Sequence, residues 1–155
     1  MSDFWICFIP EDPKYMLDTD GIKIIKEFPW CQDNVAIVVS DIIQFADAGA
    51  NFESVICPVC KCDLHGWWGG AMDGAYSSGA GFINLDIATP CCHNNTTLNG
   101  LDYNFPQGFY SSIIEMRPDC HADVVQIPQE LHKDVICQDL FQTTNQKWRV
   151  IYKRV

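Results

Sequence analysis

Two cysteine clusters, Cys57-Pro-Val-Cys60 and Cys91-Cys92, stand apart in the middle of this chain and constrain its fold more than any other feature. A C-x-x-C turn points both sulfurs to one side and aims backbone N–H groups at them. Two thiolates held this way grip one tetrahedral ion, and a second pair closes the site. Neighbouring residues on a straight strand face opposite ways, so Cys91 and Cys92 can serve one ion only where the chain turns. Pro90 before them and Asn94-Asn95 after them predict that turn. Cys62, His65 and His93 are the other candidates for the last ligand. A thioredoxin-like dithiol would open a helix directly after a strand. Here Pro58 lies inside the motif and a second cluster follows downstream.

The flanks share one order of elements. Phe4 to Ile9 is continuously apolar, as a strand buried on both faces would be, and a loop follows from Pro10 to Pro13. Ile22, Ile25 and Phe28 then keep helical spacing, with Asp18, Thr19 and Asp20 available as caps and Pro29 as the stop. Val35–Val39 and Ile42–Phe45 predict one strand bent near Ser40-Asp41. In the last third, Phe109–Met116 predicts a strand. Pro128 suits the first turn of a helix whose apolar side is Leu131, Val135, Ile136, Leu140 and Phe141. Thr143 to Gln146 is expected to turn the chain. Lys147–Val155 alternates, with Trp148, Val150 and Tyr152 inward and Lys147, Arg149 and Lys153 in water, the pattern of a guarded edge strand. Two β-α-β units predict an α+β, ferredoxin-like sandwich. The expectation is a single domain, 1–155, with a zinc-knuckle insertion at 52–108. Within it, Trp67 to Ser78 is expected to form a short helix, Phe82 to Ala88 a strand, and Leu98 to Phe109 a connector pinned by aromatics.

Composition suits a packed soluble domain: 48% of the 155 residues are hydrophobic and 19% charged. Twenty acids against ten bases leave a net charge of −10, unevenly spread. Residues 1–56 hold 10 acids and 3 bases, and residues 57–110 hold 4 and 1. Nucleic-acid binding requires a basic stripe, and only Lys147, Arg149, Lys153 and Arg154 offer one, so no nucleic-acid partner is expected. The acidic surface suits docking to a basic protein. No apolar run approaches the ~18 residues of a spanning helix, and Asp3 stands where a secretory leader would carry cations. The expected location is the cytoplasm, where disulfides are rare.

Several residues together resemble a family of small uncharacterised bacterial proteins: Gly49-Ala-Asn51-Phe52-Glu53, Cys57-Pro-Val-Cys60, Trp67-Trp68, Met72-Asp73, Pro90-Cys91-Cys92, Leu98-Asn99-x-Leu101-x-Tyr103 and Pro106-x-Gly108-Phe109. The resemblance runs from Ile9-Pro10-Glu11-Asp12-Pro13 onward and implies no activity. In the family pattern both cysteine pairs recur, each usually followed by Gly; here Lys61 and His93 take those places, and Cys62 is extra. The resemblance implies Cys57, Cys60, Cys91 and Cys92 as the ligand set. Four thiolates saturate zinc, so the expected cofactor is a structural Zn2+ in a zinc ribbon-like site. Iron is the other ion that four thiolates accept.

Two classes of function follow. One is a zinc-stabilised interaction protein with an acidic docking face, of which an immunity-like protein is one form. The other is a small zinc enzyme with an open metal position near His65 or His93, and Asp63 or Asp73 as base. No catalytic residue is assigned. Gly66, Gly69, Gly70, Gly74, Gly79 and Gly81 lack the spacing of a phosphate loop. Of Trp67 and Trp68, one ring is expected on the knuckle and the other on the sheet. Asp119, His121 and Asp123 suit a solvated loop, and Cys120 and Cys137 small buried positions.

Overall fold

A computed structural model describes residues 4–117 and 129–155. These described residues are α+β, with three helices and antiparallel sheets. The first strand, β1 (Phe4–Pro10), leads to helix α1 (Thr19–Lys26). Asp18 caps α1, its Oδ1 accepting from Gly21 N at 2.6 Å. The long strand β2 (Val35–Ala46) follows, and its pairing shifts register between Val39 and Gln44, the bend expected near Ser40-Asp41. After the central segment come β9 (Gly108–Met116), α3 (Gln129–Thr144) and β10 (Trp148–Arg154). These four strands form one antiparallel sheet in the order β10-β1-β9-β2.

Both faces of the sheet are dry at its centre. On one, Phe8 and Ile114 pack with Ile25 of α1, Ile136 and Leu140 of α3, and Trp148. On the other, Cys7, Ile9, Ile113 and Ile151 pack with Ala46. Each fully buried Phe, Ile or Leu contributes about 1.5–3 kcal/mol relative to exposure. The loop from β1 to α1 is stitched to β9 through a buried hydroxyl: Ser112 Oγ accepts from Leu17 N at 2.8 Å and donates to Tyr15 O at 3.0 Å.

Three expectations for the flanks need correction. The side of β10 expected in water carries Ile151, fully buried, while Arg149 and Lys153 are ion-paired with Glu11 (2.6 Å) and Asp47 (3.2 Å). On α3, Val135 and Phe141 are exposed; among its described side chains the buried ones are Ile136 and Leu140, one turn apart. The helix also runs through Thr143 and Thr144, whose hydroxyls bond back to Asp139 O and Leu140 O, and the chain leaves it at Asn145, φ 56°. Pro128, Asp119, Cys120, His121 and Asp123 lie outside the described residues.

The central segment holds β3 (Ser54–Ile56), α2 (His65–Ala75), β4 (Tyr76–Ser77), β5 (Gly81–Phe82), β6 (Asp86–Ala88), β7 (Asn95–Thr97), a 3₁₀ turn at Leu98–Gly100 and β8 (Asp102–Asn104). It pairs as three small hairpins or ladders: β3 with β8, β4 with β5, β6 with β7. The single strand expected over Phe82–Ala88 is therefore two, because Ile83 and Asn84 turn outward between different partners. The connector expected at Leu98–Phe109 contains a paired strand, with Tyr103 and Phe109 buried as its aromatic pins. The segment has a core of its own: Val55, Cys57, Leu64, Phe82, Leu98, Leu101 and Tyr103, together with Phe109 of β9. Phe45 joins this core to the sheet, its ring 5.0 Å from Phe109 and 6.1 Å from Trp68. Gly81, at φ 67°, lets β5 lie against the bend of β2; a Cβ there would sit 2.5 Å from Ile43 O.

Candidate metal centre

Each cysteine cluster sits at the tip of a short antiparallel pairing. The first tip lies between Ile56 and Asp63, which pair as an isolated bridge. The second lies between Ala88 and Asn95, the pair next to the turn of the β6–β7 hairpin. At the first, Lys61 N donates to Cys57 O (3.1 Å) and Cys57 N to Cys62 O (2.9 Å). At the second, His93 N donates to Thr89 O (2.9 Å) and Thr89 N to Asn94 O (3.0 Å). Both turns close through a left-handed residue, Lys61 at φ 64° and His93 at φ 55°. Glycine is the residue to which this conformation comes at no steric cost.

The two tips face each other. The Sγ atoms of Cys57, Cys60, Cys91 and Cys92 all lie within 4.8 Å of one another, and this group could hold a metal ion. Four sulfurs at ~2.3 Å from a tetrahedral ion stand ~3.8 Å apart. The Cys57–Cys92 and Cys91–Cys92 separations are 3.7 and 3.9 Å, close to that edge, and Cys60–Cys91 is shorter at 3.1 Å. The turn at Pro90 brings the adjacent Cys91 and Cys92 to one side, as a shared ion requires. Cys57 is fully buried on the insertion core, whereas Cys60, Cys91 and Cys92 reach the surface.

The thiols differ in readiness to bind. The backbone N–H of Cys60 pulls the Cys57 thiol down to about 6, outweighing desolvation and helped by the N–H of Val59. The neighbouring Cys60 thiol, and then desolvation, push Cys91 up to about 11. Binding an ion would release a proton from Cys91 at neutral pH.

Cys62, His65 and His93 stand outside the four-sulfur group. Cys62 contributes its carbonyl to the first turn, and His93 its backbone to the second. His65 opens α2, with its N–H on Asp63 Oδ1 (2.8 Å) and its ring stacked on Phe52. Trp68 covers the sheet side as expected, against Phe45, and donates to Tyr103 Oη at 3.1 Å; Trp67 packs into the same core. Cys137 is half-buried beside the helix-side core.

Sequence reasoning missed Thr89. It is fully buried, its Oγ1 lies 3.4 Å from Cys92 Sγ, and it accepts from Asn94 N at 3.1 Å. The signal was available: Thr89-Pro-Cys-Cys-His93 matches Cys57-Pro-Val-Cys-Lys61 position by position, proline included. Compared with family models, curated proteins and solved structures, the chain matches none. Among the described residues, no helix is long and apolar enough to cross a membrane.

Proposed function

We propose that this chain is a small acidic protein-interaction module whose central segment is clamped by a structural zinc ion on Cys57, Cys60, Cys91 and Cys92. The observation that carries the reading is the meeting of two matched turns with four sulfurs close to tetrahedral spacing. Four thiolates leave no position for a water or substrate, which favours a structural ion over a catalytic one. Because the ion would tie residue 57 to residue 92, its binding energy would be folding energy for the segment between. The frame is ferredoxin-like in this reading. It is supported by the order β10-β1-β9-β2 and by the packing of α1 and α3 into one core. The likeness to the small bacterial family supports the same ligand set.

The partner we propose is a basic protein surface in the cytoplasm, as an immunity-like protein would meet. A net charge of −10 supports it. Of the cations that might have served nucleic acid, Arg149 and Lys153 are committed to Glu11 and Asp47. Metal analysis of the purified chain tests the core of the proposal. One zinc per chain is expected, with Cys57→Ser, Cys60→Ser, Cys91→Ser and Cys92→Ser each binding zinc more weakly and folding less stably. A metal-free chain of full stability would sink it. Capture from the source cell tests the partner: a basic protein released by salt is expected, and a recurrent nucleic acid would refute the charge reasoning.

A further inference from the structure

The two turns are the same structure built twice, and they differ in where the second sulfur comes from. In the first, the ligands occupy positions one and four, Cys57 and Cys60. In the second, position one is Thr89 and position four is Cys92, and the extra sulfur is Cys91 at position three. Position one is equivalent in both by four independent marks. Its N–H is accepted five residues on, and its carbonyl accepts from the fifth residue of the turn. Proline follows it, and it is fully buried in each case.

We propose that Thr89 occupies a latent ligand position and acts as a positioning residue of the metal centre, holding Cys92 through its hydroxyl. The proposal rests on the metal reading above. Thr89 Oγ1 already accepts the N–H of Asn94, which leaves its single O–H to donate. Cys92 Sγ at 3.4 Å takes it, and once bound to an ion that sulfur is a thiolate, an acceptor only. A hydroxyl on a metal thiolate fixes the sulfur's direction and draws charge from it, as partners behind metal ligands do elsewhere. Cys92, though surface-exposed, becomes a poorer nucleophile than its exposure alone would make it. Cys91 meanwhile supplies the sulfur that position one lacks, reaching across to Cys60 at 3.1 Å.

Cobalt loading and alkylation together test this. Cobalt(II) in the wild-type chain should give the absorption of four sulfur ligands, and Cys91→Ser the weaker charge-transfer band of three. Adding Thr89→Cys to Cys91→Ser should restore the four-sulfur spectrum, because the new thiol arrives at a position already aimed at the ion. A double variant no different from Cys91→Ser would overturn the latent position. In the zinc-loaded chain, Thr89→Val should bind one ion and raise iodoacetamide alkylation of Cys92 by about tenfold, the effect of losing one hydrogen bond to a charged acceptor. Thr89→Ser should keep the wild-type rate. Alkylation of Cys92 at the wild-type rate in Thr89→Val would overturn the hydroxyl's role. Should Thr89→Val not fold, the spectrum of the cysteine double variant still decides. A wild-type chain that takes up no cobalt refutes the metal reading itself, an outcome distinct from any variant's failure.

Discussion

Lys61 and His93 hold backbone conformations that an L side chain resists by roughly 1–2 kcal/mol, and neither side chain reaches into the four-sulfur group. Among the described residues, Lys61 Nζ bonds the Pro58 carbonyl, at 3.1 Å. Lys61→Gly and His93→Gly should therefore each stabilise the metal-loaded protein by about 1 kcal/mol, read as a higher denaturant midpoint at unchanged slope. A loss of stability in either would mean that the turn depends on that side chain. Some residues could not be read locally. Threonine at the head of a turn carries no signal until its own turn is laid over the other. Arg149 and Lys153 look like solvent-facing cations because the acids that meet them, Glu11 and Asp47, lie 138 and 106 residues away in sequence.

Helix α2 shows how packing overrides propensity. Gly66, Gly69, Gly70 and Gly74 line its outer face with His65 and Asp73, and a Cβ at any of the four would meet nothing within 4 Å. The inner face, Trp67, Trp68, Ala71, Met72 and Ala75, lies on the insertion core and holds the helix in place. Replacing an exposed helical glycine with alanine gains roughly 0.5–1 kcal/mol. Gly70→Ala and Gly74→Ala should each raise the unfolding midpoint accordingly, without altering metal content. If either lowers the midpoint, something covers that face in solution. The sequence predicts this helix from Trp67 to Ser78, whereas it spans His65–Ala75. Its start has no capping side chain at Leu64, and Tyr76 and Ser77 are drawn away into the strand that pairs with Gly81-Phe82. The six flanking elements were legible for a plainer reason: each has a long apolar run or a sustained helical or alternating period, and β1 and α1 are bounded by Pro10, Asp18 and Pro29. The short strands of the insertion, two or three residues each, are defined by their partners and leave no period to read.

For the whole molecule, the sheet and the insertion have separate cores joined through Phe45 and Phe109, and each core buries an acidic proton. Cys7, under the sheet, is pushed from 9.0 to about 12 by burial and then by the Glu115 carboxylate. Tyr103, in the insertion, is pushed from 10.0 to about 12 by burial, against the opposing pull of the Trp68 N–H. In each case the folded state holds the proton more tightly than the unfolded chain does. The resulting stability is fully present below the unfolded value and is lost as pH rises through the folded one. The windows are therefore pH 9 to 12 for Cys7 and pH 10 to 12 for Tyr103. Within its window each group removes about 1.4 kcal/mol per pH unit. Tyr110 and Cys137, also raised by burial, steepen the same limb. The metal-loaded protein should accordingly lose stability steeply above pH 9. Tyr103→Phe lowers stability at neutral pH, since the hydroxyl's bonds to Leu98 O and Trp68 Nε1 are gone, yet it should flatten the decline above pH 10. Cys7→Ala should flatten the decline that begins at pH 9. Denaturant titrations at half-unit steps from pH 7 to 11 would resolve the two slopes, and parallel curves for wild type and both variants would show that neither proton is linked to folding.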